Sequence, residues 1–314
     1  MTSRPRRAYS TERGEAYWST VEDFLESPLA DEVRGEVQLV LTSPPFPLHK
    51  KKAYGNLNGD SFRDWLTETM TRIADLIKPT GSLVIELGNA WESGQPEMST
   101  LPLETLLALK SQANLALCQQ FIVHNPARLP SPVQWVNIER SRVKDSFTHV
   151  WWLSPTAHPE ADNRRVLTEY SSSMKKLLER QSYNDGLRPS GHNIGNASFL
   201  SDNGGAIPSN VLEASNTRSS GSYPKTCQRL GVPVHPARMQ PEVADFFIKF
   251  LSSPGDLVLD PFAGSNTTGE AAERHNRRWI AIDAELDYLR GSTGRFEDAR
   301  WWLRTHPLQV AERP

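Results

Sequence analysis

Apolar residues along the chain recur at two different periods, and the places where the period changes mark its elements. From Phe62 to Ile77 the residues Phe62, Trp65, Leu66, Met70, Ile73, Leu76 and Ile77 fall at helical spacing, and Lys78-Pro79-Thr80-Gly81 ends the run. Thr100 to Gln120 and Glu242 to Leu251 read as further helices, and the Ala-rich run from Glu270 to Arg274 as a helix start. Short apolar runs of strand length stand at 37–41, 82–87, 121–124, 150–153, 256–259 and 279–282. Residues 1–16 are charged and poor in apolar side chains, which predicts a disordered or loosely docked tail. From Ser154 to Gly231 the texture changes to Ser, Asn, Gly and Pro, and a loop-rich insertion of that length inside a compact fold is usually functional.

Two of the strands run straight into unusual turns. Val37 to Leu41 leads into Ser43-Pro44-Pro45-Phe46. Adjacent prolines fix φ and keep Ser43 and Pro44 out of the helical region, so the turn is rigid. It can aim the Ser43 hydroxyl and nearby carbonyls at one amino group, and the Phe46 ring offers a face for a flat heterocycle such as a flipped base. The competing reading is a strand that ends in a Pro-Pro turn with a core Phe. The second turn, Asp260-Pro261-Phe262-Ala263-Gly264-Ser265-Asn266-Thr267-Thr268-Gly269, follows a strand and opens a helix. Such a turn exposes N–H groups at the helix start and lets a ligand approach the backbone at Gly264. The next strand ends at Asp283, where an acid can accept hydrogen bonds from ribose hydroxyls. These glycines do not follow the dinucleotide fingerprint. S-adenosylmethionine fits better, because it has ribose hydroxyls and no phosphates.

Composition narrows the class. With 314 residues and 38% hydrophobic content the chain can form one large domain with an insertion. No apolar run approaches the roughly 20 residues that span a bilayer, and Arg4-Pro5-Arg6-Arg7 is not followed by a signal-peptide core, so a cytoplasmic enzyme is expected. Cys118 and Cys227 have no metal-ligand spacing, which disfavours a zinc site, a disulfide framework and a cysteine nucleophile. The net charge of −2 is unremarkable for a DNA-binding protein, since DNA responds to local patches. Lys50, Lys51 and Lys52 follow the Ser43 turn directly, where they would either neutralise phosphates or form a solvated run.

A Ser-Pro-Pro-Phe turn followed much later by Asp-Pro-Phe-Ala-Gly-Ser-x-Thr-Thr resembles the amino-methyltransferases of DNA in the permuted order, catalytic motif first. Further blocks sharpen the likeness: 51–56, 129–132, 135–137, 142–145, Trp151-Trp152, Arg188-Pro189-Ser190-Gly191-His192, Asp202-Asn203-Gly204-Gly205 and His235-Pro236-Ala237-Arg238. Together they resemble the PvuII-type cytosine-N4 methyltransferases of restriction-modification systems, from about Tyr17 to Tyr288. The resemblance implies an α/β, doubly wound, Rossmann-like methyltransferase sheet, circularly permuted, with a loop-rich DNA-recognition insertion. The implied organisation is a catalytic half at 17–153, a target-recognition insertion at 154–231 and a cofactor-binding half at 232–314.

The implied reaction is transfer of a methyl group from S-adenosylmethionine to the N4 amine of cytosine in double-stranded DNA, with no metal. Ser43, Pro44, Pro45 and Phe46 would hold the flipped base, and Glu86, an acid in a buried strand, would receive the amine proton. Asp260 to Ser265, Thr267 and Asp283 would hold the cofactor, with His235 and Pro236 covering its methionine end. Trp18-Ser19-Thr20 stands where relatives have Gly-Asp-Ser, so Ser19 would replace an acid there. Arg188 and His192 would position DNA or frame the base pocket, and a cognate restriction endonuclease would accompany the enzyme. Adenine-N6 methylation and a catalytically silent DNA-binding protein are the alternatives.

Overall fold

The computed structural model describes residues 4–45, 59–181, 200–215 and 221–303. Its strands are β1 (Arg6–Ser10), β2 (Gly14–Trp18), β3 (Val37–Thr42), β4 (Ile77–Gly88), β5 (Ala116–His124), β6 (Phe147–Ser154), β7 (Val211–Glu213), β8 (Leu257–Asp260), β9 (Arg278–Asp283) and β10 (Arg300–Trp301). Its helices are α1 (Val21–Leu25), α2 (Pro28–Glu32), α3 (Gly59–Ala74), α4 (Leu101–Gln112), α5 (Ser172–Arg180), α6 (Ser222–Leu230), α7 (Pro241–Leu251), α8 (Thr267–Arg274) and α9 (Leu286–Ser292). The strands form one sheet in the order β10-β1-β2-β9-β8-β3-β4-β6-β5-β7. Its centre, β2-β9-β8-β3-β4, is parallel, while β6 runs antiparallel to both β4 and β5.

Period-2 alternation decides which side chains face which layer. In β4, Val84 faces one core while Leu83, Ile85 and Leu87 face the other, and in β6 Val150 and Trp152 oppose Trp151 and Leu153. The first layer is closed by α7 and α8 through Val243, Phe247, Ile248, Leu251, Ala271 and Ala272. The second is closed by α3 through Phe62, Leu66, Met70 and Ile73. Helices on both faces of a parallel sheet are what buried apolar strands such as Val37–Thr42 require.

Three expectations change. The described part of 1–16 is not a loose tail: β1 and most of β2 lie within it, with Ala8 and Tyr9 fully buried. Only those two side chains of β1 are buried, so Arg6 and Arg7 remain outside, on the part of β1 that lies beyond its short pairing with the edge strand β10. The helix read over 100–120 stops at Gln112, because Asn114 takes φ 51° and the chain re-emerges as β5. The helix read over 62–77 stops at Ala74, and Ile77 already belongs to β4.

The chain divides into two units, Met1–Ala161 with Asn210–Pro314, and Asp162–Ser209. The second is narrower than the 154–231 insertion. Within it, Thr168 and Ala206 exchange both backbone hydrogen bonds at 2.9 Å, and the Ser171 hydroxyl caps α5 by accepting from the Met174 N–H at 3.2 Å.

Candidate active site

β8 and β3 are neighbours, yet the helices that follow them lie on opposite faces of the sheet. The crevice beyond the carboxyl ends of such strands is where open α/β sheets bind ligands. Asp260 ends β8 and Ser43 follows β3, so both motifs open at this crevice.

The Asp260 turn is tightly built. Asp260 is 5% exposed, and its carboxylate accepts from the Thr42 hydroxyl (2.7 Å), the Thr268 hydroxyl (2.7 Å) and the Phe262 N–H (3.1 Å). Burial pushes its pKa up to about 6, and those three donors oppose the rise. The acid therefore acts as a clasp: Thr42, the residue before Ser43, is tied directly to the glycine turn. Gly264 takes φ 51°, and a Cβ there would lie 3.0 Å from the His235 ring. Asn266 is also left-handed and caps α8 by accepting from the Gly269 N–H at 3.0 Å. Arg295, 8% exposed at its side chain, donates to the Ser265 carbonyl (2.5 Å), the Ser265 hydroxyl (3.1 Å), Thr267 Oγ1 (3.2 Å) and Glu270 Oε2 (2.5 Å).

Asp283 ends β9 one strand away and accepts from the Gly264 N–H at 2.6 Å and the Glu285 N–H at 2.7 Å. Burial raises its pKa to about 7, with the two amides working against the rise. Each oxygen takes one amide and keeps a lone pair for a further donor. Ser19 lies beside it, where its N–H donates to the Asp283 carbonyl at 3.1 Å and its hydroxyl donates to the Thr20 carbonyl, leaving the oxygen's lone pairs to accept. The His235 ring stacks edge-on to Tyr288 at 4.5 Å, and the His235 backbone N–H donates to the Tyr223 hydroxyl at 3.0 Å. Pro236 is exposed. Phe262 lies 5.7 Å from Trp65, whose indole N–H donates to Glu22 at 2.7 Å.

On the other side of the crevice Thr42 pairs with Ile85, which brings Ser43 and Glu86 out of adjacent strands at the same level. Both line a cavity of about 140 Å³ together with Asn125, Arg128, Thr148 and Gln240. Glu86 is 6% exposed and accepts from the Thr148 hydroxyl at 2.9 Å. Burial raises its pKa, against the Thr148 hydroxyl and the nearby Arg128 charge. Pro44 is buried and Pro45 half-buried. Phe46, Lys50, Lys51, Lys52, Arg188 and His192 lie outside the described residues. Among the basic residues of 140–144, Arg142 and Lys144 donate to backbone carbonyls, those of Pro96 and Pro126 respectively. Cys118 and Cys227 are free thiols. Among the described residues no group of three His, Cys, Asp or Glu could hold a metal ion.

The sheet order, the clasped glycine turn and an acid closing the next strand define an open α/β enzyme of the methyltransferase fold. A DNA methylase family model for N6 and N4 enzymes matches residues 37–293. The type II methyltransferase M.PvuII of Proteus hauseri is 42% identical over 293 residues, spanning 93% of this chain and 86% of that protein. The solved PvuII DNA methyltransferase, described as cytosine-N4-specific, superposes with TM-score 0.74 at 34% identity over 93% of this chain and 90% of that one. M1.HpyAVI, solved with SAM, shares the fold at TM-score 0.53 and 18% identity, covering 90% of this chain and 98% of its own. The chain belongs to the N6/N4 DNA methylase family.

Proposed function

We propose that the chain transfers a methyl group from S-adenosylmethionine to the exocyclic N4 amine of cytosine in duplex DNA. The observation that carries this reading is the cavity shared by Ser43 and Glu86, joined to the cofactor turn through the Thr42–Asp260 hydrogen bond. At about 140 Å³ it is close to the roughly 150 Å³ of an engineered cavity that takes up benzene, so it suits one six-membered ring.

S-adenosylmethionine supplies an electrophilic methyl when bound. The residues present fit it: Gly264 leaves room at the backbone, Asp283 can accept from ribose hydroxyls, and Phe262 and His235 flank the turn. The chain's own work concerns the amine, whose lone pair is delocalised into the ring. Ser43 Oγ and the Pro44 carbonyl accept from the N4 hydrogens, which directs the lone pair out of the ring plane and raises its nucleophilicity. Phe46 stacks on the base. Formation of the new N–C bond would be matched by loss of the methyl–sulfur bond, whose electron pair stays on the sulfur as a neutral thioether, and one N4 proton would leave to the Glu86 carboxylate and from there to water. The raised pKa of Glu86 makes it a better acceptor than an ordinary carboxylate.

Target recognition falls to the unit Asp162–Ser209 and its flanks, which carry Lys175, Lys176 and Arg180 on α5 and, further along the sequence, Arg188 and His192. Lys50, Lys51 and Lys52 contact phosphates without regard to sequence. In a restriction-modification system the partner is an endonuclease that cuts the same sequence, with no direct contact required. Long-read sequencing of DNA from cells expressing the chain, with nucleoside mass spectrometry, tests the assignment. N4-methylcytosine at one short motif is the expected result. N6-methyladenine would replace the base assignment, and unmodified DNA together with absent cofactor binding would leave only a silent DNA-binding protein.

A further inference from the structure

We propose that Leu129 is a wedge that enters the base stack when the target cytosine leaves it. The inference rests on the base-flipping reading above and adds to it the group that fills the vacated space. Arg128 lines the base cavity, and the next residue, Leu129, is 81% exposed. A single exposed leucine is ordinary on a protein surface. This one is held out by a turn that cannot collapse over it. The Asn125 N–H donates to the Ser146 carbonyl at 2.8 Å, Asn125 Oδ1 accepts from the Ala127 N–H at 3.1 Å, and the Arg128 N–H donates to the Asn125 carbonyl at 3.1 Å. The Arg128 guanidinium then fastens the turn to β6 through the Phe147 carbonyl at 3.1 Å. On the far side Pro130 holds Leu129 out of the helical region.

The charge around it selects the occupant. Residues 125–146 carry Arg128, Arg140, Arg142 and Lys144 against Glu139 and Asp145. The Lys144 ammonium sits on the Pro126 carbonyl at 2.8 Å and 3.5 Å from that of Arg128, the residue before the leucine. An apolar tip on a cationic base, at the rim of a cavity sized for one ring, matches the space left in a duplex by an extruded base and the phosphates on either side of it. Proteins that distort DNA insert apolar side chains in this way, and enzymes that flip a base must offset the lost stacking. Burying one leucine side chain there favours the extruded state by about tenfold to a hundredfold.

The test uses full-length wild type, Leu129→Ala and Leu129→Met on a duplex carrying the sequence found methylated in cells. A second duplex is identical but has an abasic site opposite the target, so that pairing no longer holds the cytosine in. Single-turnover methyl transfer, fluorescence of 2-aminopurine next to the target, and cofactor affinity are measured. The expected result is that Leu129→Ala lowers the rate on the paired duplex tenfold or more and suppresses the fluorescence rise. On the abasic duplex the deficit should shrink to about threefold or less, with cofactor affinity unchanged and Leu129→Met close to wild type. Equal rates for Leu129→Ala and wild type on the paired duplex, or the same deficit on both duplexes, would overturn the wedge. A wild type that methylates no cytosine would overturn the underlying reading, and the wedge with it.

Discussion

Thr42→Val removes one hydroxyl from the clasp between the two motifs and changes almost nothing in shape. Thr42 is fully buried, and its Oγ1 donates to Asp260 Oδ1 at 2.7 Å. A hydrogen bond to an ionised group contributes about 1.5–3 kcal/mol, and one to a neutral carboxyl about 0.5–1.5 kcal/mol. Asp260 has a folded pKa of about 6, above its unfolded value of about 3.8. The folded state therefore binds the proton more tightly, and the contribution of this group to stability is fully present below about pH 4 and is lost as pH rises through about 6. At pH 5 the carboxyl is largely neutral and the variant should lose about 1 kcal/mol; at pH 8 it is ionised and the loss should be about 2 kcal/mol. Urea unfolding at the two pH values measures the difference. Thr42→Ser should restore both values, since it keeps the donor. In methyl transfer, Thr42→Val should lower kcat more than cofactor affinity, because Ser43 is the next residue. Equal losses at the two pH values would refute the coupling to Asp260, and a kcat equal to wild type would refute the positioning role.

Ser43→Ala should lower kcat by about 100-fold or more, the scale of losing one oriented hydrogen-bonding group, with the cofactor dissociation constant unchanged in calorimetry. Asp283 has a pKa near 7, and ribose hydroxyls donate best to its ionised form, so cofactor affinity should rise by up to about tenfold from pH 6 to pH 8. Asp283→Asn should flatten that dependence, and a pH-dependent affinity in the variant would place the titrating group elsewhere. Arg295→Met leaves Glu270 and the Ser265 carbonyl without their buried partner, and should destabilise the fold by about 3–5 kcal/mol in urea titration. A loss below about 1 kcal/mol would show that the turn holds itself.

What the sequence made legible was local. Val37–Leu41, Leu257–Asp260 and the Ser43 and Asp260 turns could be read because each carries its own signal within ten residues, in apolar period, prolines or glycines. The same locality explains the rest. Arg295 clamps a turn 30 residues earlier in the chain, and nothing in its neighbourhood marks it. Thr42 and Thr268 sat inside the recognised motifs, but their work is to hold Asp260, which shows only in the folded contacts. Asp260 itself, read as a cofactor ligand, has both oxygens engaged within the protein. The N-terminal hairpin was hidden because β1 buries only Ala8 and Tyr9, too few apolar positions to show as a strand in the sequence.

The position of β8 and β9 in the sheet governs how the molecule can be made. The strands flanking this pair, β2 and β3, are both translated early, but two strands stand between them, and the gap closes only when residues 257–283 emerge. Until then the first hairpin has no inner neighbour to dock on. The Thr42–Asp260 bond, spanning 218 positions, is among the slow, long-range contacts that must wait for that insertion. Competence for methyl transfer therefore appears late and at once: a ribosome-bound chain that ends before residue 257 has the serine turn but no surface on which to hold a methyl donor.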